Sequence, residues 1–221
     1  MSSDKVRLFQ EIIASRRSIR SFKSTPVSEL AIAKIIQAGY DAPTAGNLEN
    51  TQFIVVRNNK EKLEGCFWGQ DWVLEAPVII VVCSDDSLHE KEYGADGKKY
   101  ATQSSAAAVE NMLLMAHAQG LGSCWLGAFD ENKVKSALKI PDLIRVVALL
   151  PVGHPAMQPT KPYKRLITEI TYIENYGGSP ITDLNLTTKV EGYSKIAKRA
   201  IQDEHGAVQS FWKKIFGGRK E

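Results

Sequence analysis

Arginines stand at positions 16, 17 and 20 in the run RRSIRSF, with Ser18 among them and Lys23 close behind. Guanidinium groups this crowded repel one another unless an anion or acidic residues neutralise them, and each offers paired N–H donors that match a phosphate. Ser18 adds a hydroxyl donor of the kind phosphate sites use. Two readings stand on composition alone: a site for a phosphorylated ligand, or a solvated basic turn between two helices. A nucleic-acid surface is poorly served, because the neighbourhood offers only Phe22 for stacking and no second basic stripe follows in the core. No residue presents itself as an acid–base catalyst. His89, His117, His154 and His205 are isolated and lack metal-ligand spacing, so no metal site is expected, and His117 reads as a satisfied structural residue. Cys66, Cys83 and Cys124 form no CxxC pair and read as reduced, buried thiols.

The elements that must position these residues fit one sizeable domain, since 221 residues is long for one core and short for two. A hydrophobic fraction of 43%, a charged fraction of 24% and a net charge of +3 are those of an ordinary soluble protein. The N-terminal MSSDKVRLFQ lacks the apolar core of a signal peptide, and no stretch approaches the ~20 apolar residues of a membrane span. The expectation is a soluble, cytoplasmic protein.

A first helix is predicted over 4–14. Ser28 caps a second, whose Ile32, Ile35, Ile36, Gly39 and Tyr40 follow a core-facing stripe that must stop by Ala42, before Pro43. Strands are predicted at 52–56, 78–83, 123–126 and 145–152, with a possible fifth at 168–172. Short helices are predicted at 60–66 and from the Asp130 cap to Leu138. The longest helix, 100–119, is apolar around most of its circumference and so central. Residues 85–99 read as a polar surface excursion. Interleaved strands and helices give an α+β or α/β sheet core. Beyond Asn175 comes a basic amphipathic tail, with Phe211, Trp212, Ile215 and Phe216 as candidate anchors.

Five blocks together resemble the nitroreductase family. They are RRSIRSF; APTAGNLENTQFIVV; GQDWVLEAPVIIVV; AAAVENMLLMAHAQGLGSCWLGAF; and LPVGHPA followed by KPYKR. They occur in family order and at family-like spacing across residues 7–172. The resemblance implies an α+β fold, a mostly antiparallel central sheet flanked by helices, in an intertwined homodimer with FMN at the interface. It implies a flavin domain over 1–175 and an extension over 176–221 packing on the partner subunit.

The resemblance also implies roles. Arg16 and Ser18 fall near the FMN phosphate and ribityl chain, with Arg17 joining that group or its rim. Arg20 approaches the ring edge that becomes negative on reduction. Lys164 and Arg165, with Lys161 beside them, resemble a second phosphate clamp. Pro43, Thr44 and Asn47 match a loop laid against the partner's flavin; by residue type alone they are turn residues. Gln70 resembles a residue whose amide meets the ring at an acceptor and a donor together, with Trp72 where relatives carry lysine. Leu126 and Gly127 match the turn whose backbone N–H faces flavin N5. The implied activity passes a hydride from NADH or NADPH via the flavin to an electron-poor small molecule (a nitroaromatic, quinone or enone) by a ping-pong order. No GxGxxG is present, so the nicotinamide would share the flavin pocket. The alternatives keep the fold for reductive dehalogenation or flavin fragmentation, or make the chain a non-enzymatic flavin-binding protein. Lys91, Glu92, Tyr93, Lys98 and Lys99 would then be a substrate clamp or a solvated lid.

Overall fold

Continuous apolar runs on two long strands fix where the rest of the chain packs. The computed structural model describes residues 2–179. It runs α1 (Ser2–Ser15), α2 (Glu29–Tyr40), β1 (Thr51–Val56), β2 (Val78–Asp85), α3 (Ser87–Tyr93), α4 (Gly97–Ala118), β3 (Gly122–Ser123), α5 (Glu131–Leu138) and β4 (Ile144–Gly153). The strands form one antiparallel sheet in the order β1-β2-β4-β3. Two compact units divide the chain, Met1–Pro159 and Thr160–Glu221, and the sheet lies in the first.

Strand β2 is buried almost throughout and shows opposite faces to two cores. Val78, Ile80 and Val82 pack with Ile32 and Ile35 of α2 and with Val109, Met112 and Leu113 of α4. Ile79, Val81 and Cys83 pack with Leu63, Phe67, Val73, Phe129 and Val134. A sheet covered on both faces needs continuous apolar runs, which β2 and β4 supply. In β4 the register jumps: Val82 faces Ala148 but Cys83 faces Val146, so Val147 is one extra residue, a bulge. The bulge lets Val146 and Leu149, three apart, serve the same core without exposing either.

The caps work as their residue types predict. Ser28 Oγ accepts the Ala31 N–H at 3.2 Å, and Asp130 Oδ1 accepts the Lys133 N–H at 3.1 Å, each relieving a donor that a helix start leaves unpaired. Along α4 the face of Ser105, Ala108, Val109, Met112, Leu113 and Ala116 is buried, while Leu114 and Met115 are half-buried. All three cysteines are free and buried; burial pushes the Cys83 thiol up to about 11, with Glu131 adding to the rise.

Several expectations are corrected. Residues 85–99 lie mostly at the surface, as expected, but hold a helix not expected there: α3, before which Asp85 Oδ1 accepts the Ser87 N–H at 3.1 Å, and which turns His89 fully inward. Gly97 lets α4 begin against the backbone of His89 and Glu90, where a Cβ would collide. The helix at 60–66 is a shorter 3-10 turn, Lys60–Leu63. The strand at 123–126 reduces to β3 plus an isolated bridge from Leu126 to Leu149. In place of a fifth strand, Ile167–Glu169 is a 3-10 turn in which the Glu169 carboxylate accepts the Leu166 N–H at 3.2 Å. No described helix is long and apolar enough to cross a membrane. The tail anchors Phe211, Trp212, Ile215 and Phe216 lie outside the described residues.

A buried polar network ties the far ends of β2 and β4 to α4. Asn50 Nδ2 donates to Ser84, Ser105 and the Ala101 carbonyl, and Ser84 donates to Asp86. Arg145 grips Asp86 with two bonds, 2.6 and 2.9 Å. Burial opposes ionisation of Asp86, yet the hydrogen bonds from Arg145 and Ser84 and the nearby positive charge hold its carboxyl below the usual range. A carboxyl depressed in the folded state stabilises the fold above its unfolded pKa and loses that contribution as pH falls through the folded value. Arg145→Ala should therefore lower the unfolding free energy at pH 7 by about 3 kcal/mol, measured by urea denaturation. It should also flatten the loss of stability that the wild type shows below about pH 4.

Candidate functional site

After Ser15 the chain leaves α1 and runs extended beside β3. Ile19 N–H donates to the Ser123 carbonyl at 3.0 Å, Ser18 forms a parallel bridge with Ser123, and Phe22 pairs with Pro155. Ile19 is 3% exposed. It rests on Gly122, where a Cβ would come within 2.7 Å of its side chain. Successive side chains of an extended segment point to opposite sides, so burial of Ile19 turns Ser18 and Arg20 the other way. Cys124 lies near them: Arg20, Ser18 and Arg16 each favour its ionised form, while the thiol itself donates to the Trp125 carbonyl at 3.9 Å. Burial nevertheless outweighs these and keeps the thiol's pKa raised, so it stays protonated at neutral pH.

The three arginines differ. Arg17 Nη1 donates to the Ala14 and Arg16 carbonyls at 2.9 and 2.7 Å, capping the C-terminus of α1. Arg20 is exposed, with its guanidinium 6.0 Å from the Trp72 ring centroid, a cation–π arrangement. The Arg16 side chain is half-buried and makes no hydrogen bond or ion pair among the described residues, while its backbone N–H donates to the Ile12 carbonyl at 3.1 Å. Among those residues no carboxylate pairs with any of the three.

A second wall comes from two turns joined by one side chain. Gln70 Nε2 donates to the Phe67 and Ala128 carbonyls at 3.3 and 3.0 Å. Both amide protons are thereby engaged, leaving only Oε1 to face a ligand. The expected double contact, donor and acceptor together, is not available in this arrangement. Gln70 instead ties the 126–128 turn to the 67–70 turn, where Trp68 takes a left-handed φ of 46°, rare for a bulky residue. Leu126 is buried and pairs with Leu149, whereas Gly127 is exposed. Gly127 has no left-handed φ, and a Cβ there would meet only Trp125 Nε1, at 4.0 Å. Nothing within the described chain demands glycine here.

The loop of Pro43, Thr44 and Asn47 sits elsewhere. Ala45 N–H donates to Ser104 Oγ at 3.1 Å, and Gly46 lies against the Tyr93 hydroxyl. Ser104 and His117, beside which α1 ends, are thirteen positions apart on α4, or about 20 Å along its axis. Pro43 and Asn47 are exposed and Thr44 half-buried. Lys161, Lys164 and Arg165 belong to the second unit, in exposed chain ahead of the Ile167–Glu169 turn.

The family model for nitroreductases matches residues 13–67 and 61–154, which take in the arginine segment, both turns and the whole sheet. The chain belongs to the nitroreductase family. A protein of Methanothermobacter thermautotrophicus described as a putative NADH dehydrogenase/NAD(P)H nitroreductase is 37% identical over 155 residues, 67% of this chain and 78% of that one. The crystal structure of a nitroreductase family protein from Clostridium novyi NT superposes with a TM-score of 0.62 at 36% identity, covering 77% of this chain and 96% of that one. An FMN-dependent nitroreductase from Clostridium difficile R20291 superposes with a TM-score of 0.64 at 25% identity, covering 76% and 99%.

In this member of the nitroreductase family, three neighbours of the arginine segment carry no local sequence signal. Cys124 comes near Ser18 only because β3 lies beside that segment, Trp72 reaches Arg20 across the fold, and His117 hydrogen-bonds Ser15. The two glycines of the site should respond oppositely to an added methyl. Gly122→Ala should cost about 1–3 kcal/mol by overpacking Ile19, and Gly127→Ala should stay within about 0.5 kcal/mol of wild type. Thermal and urea unfolding of the two variants will check this.

Proposed function

We propose that this protein binds FMN with its phosphate at Arg16 and Ser18 and its ring beside Arg20, and uses NAD(P)H to reduce electron-poor small molecules in a ping-pong order. Family membership makes the chain an NAD(P)H oxidoreductase with FMN as its cofactor; the acceptor class, the order of reaction and the residue roles are the proposal. The observation that carries it is the cationic segment itself. Three guanidiniums held beside one packed strand, with no carboxylate partner among the described residues, suit a dianionic phosphate and an electron-rich ring. The open face of Gly127 suits close approach of a flat ligand to main chain.

FMN bound here would supply the two-electron redox chemistry. The chain's own residues hold and polarise. Arg16 and Ser18 donate to phosphate oxygens. Arg20, braced over Trp72, offers a fixed cation for the negative charge that reduction places on the ring. Gln70 fixes the 126–128 turn and turns its Oε1 toward a ring N–H donor. Lys164 and Arg165, with Lys161 beside them, are proposed as further phosphate ligands, with Arg17 at the rim.

The assembly proposed is a homodimer with FMN at the interface. The Pro43–Thr44–Asn47 loop and the arginine segment contact opposite ends of α4, so a second copy could bring one copy's loop to the other's site. The exposed apolar side chains Val6, Phe9 and Ile13 of α1 favour such a partner. The extension 176–221 is proposed to pack on that partner. Three buried free thiols suit a reducing, cytoplasmic setting.

The purified protein should show a bound-flavin visible spectrum that NAD(P)H bleaches; no bindable FMN, or no bleaching, sinks the reading. Arg16→Ala should weaken FMN retention roughly 10- to 100-fold with the reduction rate of the saturated enzyme little changed. Arg20→Ala should do the reverse, as read by equilibrium titration and stopped-flow bleaching. Truncation after Pro180 should raise the dimer dissociation constant, seen by analytical ultracentrifugation at low concentration; an unchanged dimer refutes the embracing tail.

A further inference from the structure

Between α1 and β3 the cationic segment is tied down at two points. Ser15 Oγ lies 2.7 Å from His117 Nε2, in the last turn of α4, and Ile19 N–H reaches Ser123 just beyond that helix. Arg16, Arg17 and Ser18 lie between these two ties, and the other bonds of Arg16 N–H and Arg17 Nη1 run back only to α1 and its end, at Ile12, Ala14 and Arg16. We propose that His117 is a positioning residue for the phosphate end of the site, fixing the start of the segment through Ser15 so that Arg16 and Ser18 are preset before the ligand arrives. This rests on the FMN reading above.

The direction of the bond follows from proton counting. Ser15 Oγ also lies 2.6 Å from the Glu11 carbonyl, which can only accept. A hydroxyl has one proton, so it goes to Glu11, and His117 must donate its Nε2–H to Ser15. The neutral ring is therefore the Nε2–H tautomer, and the doubly protonated ring keeps the same donor. Charge is not its contribution. Burial, then Arg16 and Arg17, push His117 below its ordinary pKa, so the ring is neutral at neutral pH. With Arg17 engaged on the Ala14 and Arg16 carbonyls, Arg16 and Ser18 are the groups left to meet an anion. Releasing the Ser15 tie would let the chain before Ile19 sample other conformations, and binding would have to reorder it. That cost falls on a ligand that uses the phosphate end and spares one that does not.

Riboflavin, which lacks the phosphate, is the matched probe. Dissociation constants for FMN and riboflavin should be measured on the full chain by flavin fluorescence for wild type, His117→Leu, His117→Gln and Ser15→Ala. His117→Leu and Ser15→Ala should each weaken FMN about tenfold and leave riboflavin within about twofold. His117→Gln, whose amide can donate to Ser15, should recover FMN affinity to within about threefold of wild type. Equal losses for both flavins in the Leu and Ala variants, no loss for FMN, or no recovery with Gln overturns the inference while leaving the FMN reading intact. A wild-type chain that binds neither flavin overturns both. Should His117→Leu fail to fold, Ser15→Ala alone decides, since it removes the same bond from a surface position.

Discussion

Ile19 is the hinge pin of the arrangement: buried against Gly122 and bonded to Ser123, it converts a run of like charges into a fixed row of donors. Free in solution, such a run would spread to relieve its own repulsion. Burying one isoleucine side chain contributes about 1.5–3 kcal/mol, enough to hold the segment where electrostatics alone would not. The segment therefore stands where its charges are unmet by the rest of the described chain. Local conflict of this kind, carried by packing nearby, is what a site for an anionic ligand requires.

The sheet has the same division of labour. Its two buried faces hold two cores, and the extra residue at Val147 keeps both supplied along one strand. The Asn50–Ser84–Asp86–Arg145 network and the arginine segment both attach to α4, the one at Ala101 and Ser105, the other at His117. That helix acts as a spacer. What it holds at one end can be altered without reaching the other by direct contact.

Much of this was legible in the sequence where the signal is local. Ser28 and Asp130 announce their helices because a capping hydroxyl or carboxylate acts within three residues. The stripe of α4 is visible because burial follows its period. Helix α3 was hidden because six of its seven residues read as ordinary polar or surface positions, and its inward residue, His89, carries no pattern by itself. Strand order and the bulge depend on partners far away in the chain. At the site, residue types marked the arginine segment and the family resemblance assigned its roles. Which of three adjacent arginines turns back to cap α1 is a local choice that residue type does not make; which thiol and imidazole stand behind the row is settled by tertiary approach, for which no spacing rule exists.

The engagement of Gln70 has a consequence for what the pocket can read. A free carboxamide is ambidextrous and can rotate to suit a donor or an acceptor. With both protons fixed on the Phe67 and Ala128 carbonyls, this one offers only lone pairs. If Gln70 meets the flavin as proposed above, a ring atom carrying hydrogen would find an acceptor there, and the same atom stripped of it, or alkylated, would not. The selectivity would be set by the two turns that Gln70 holds together.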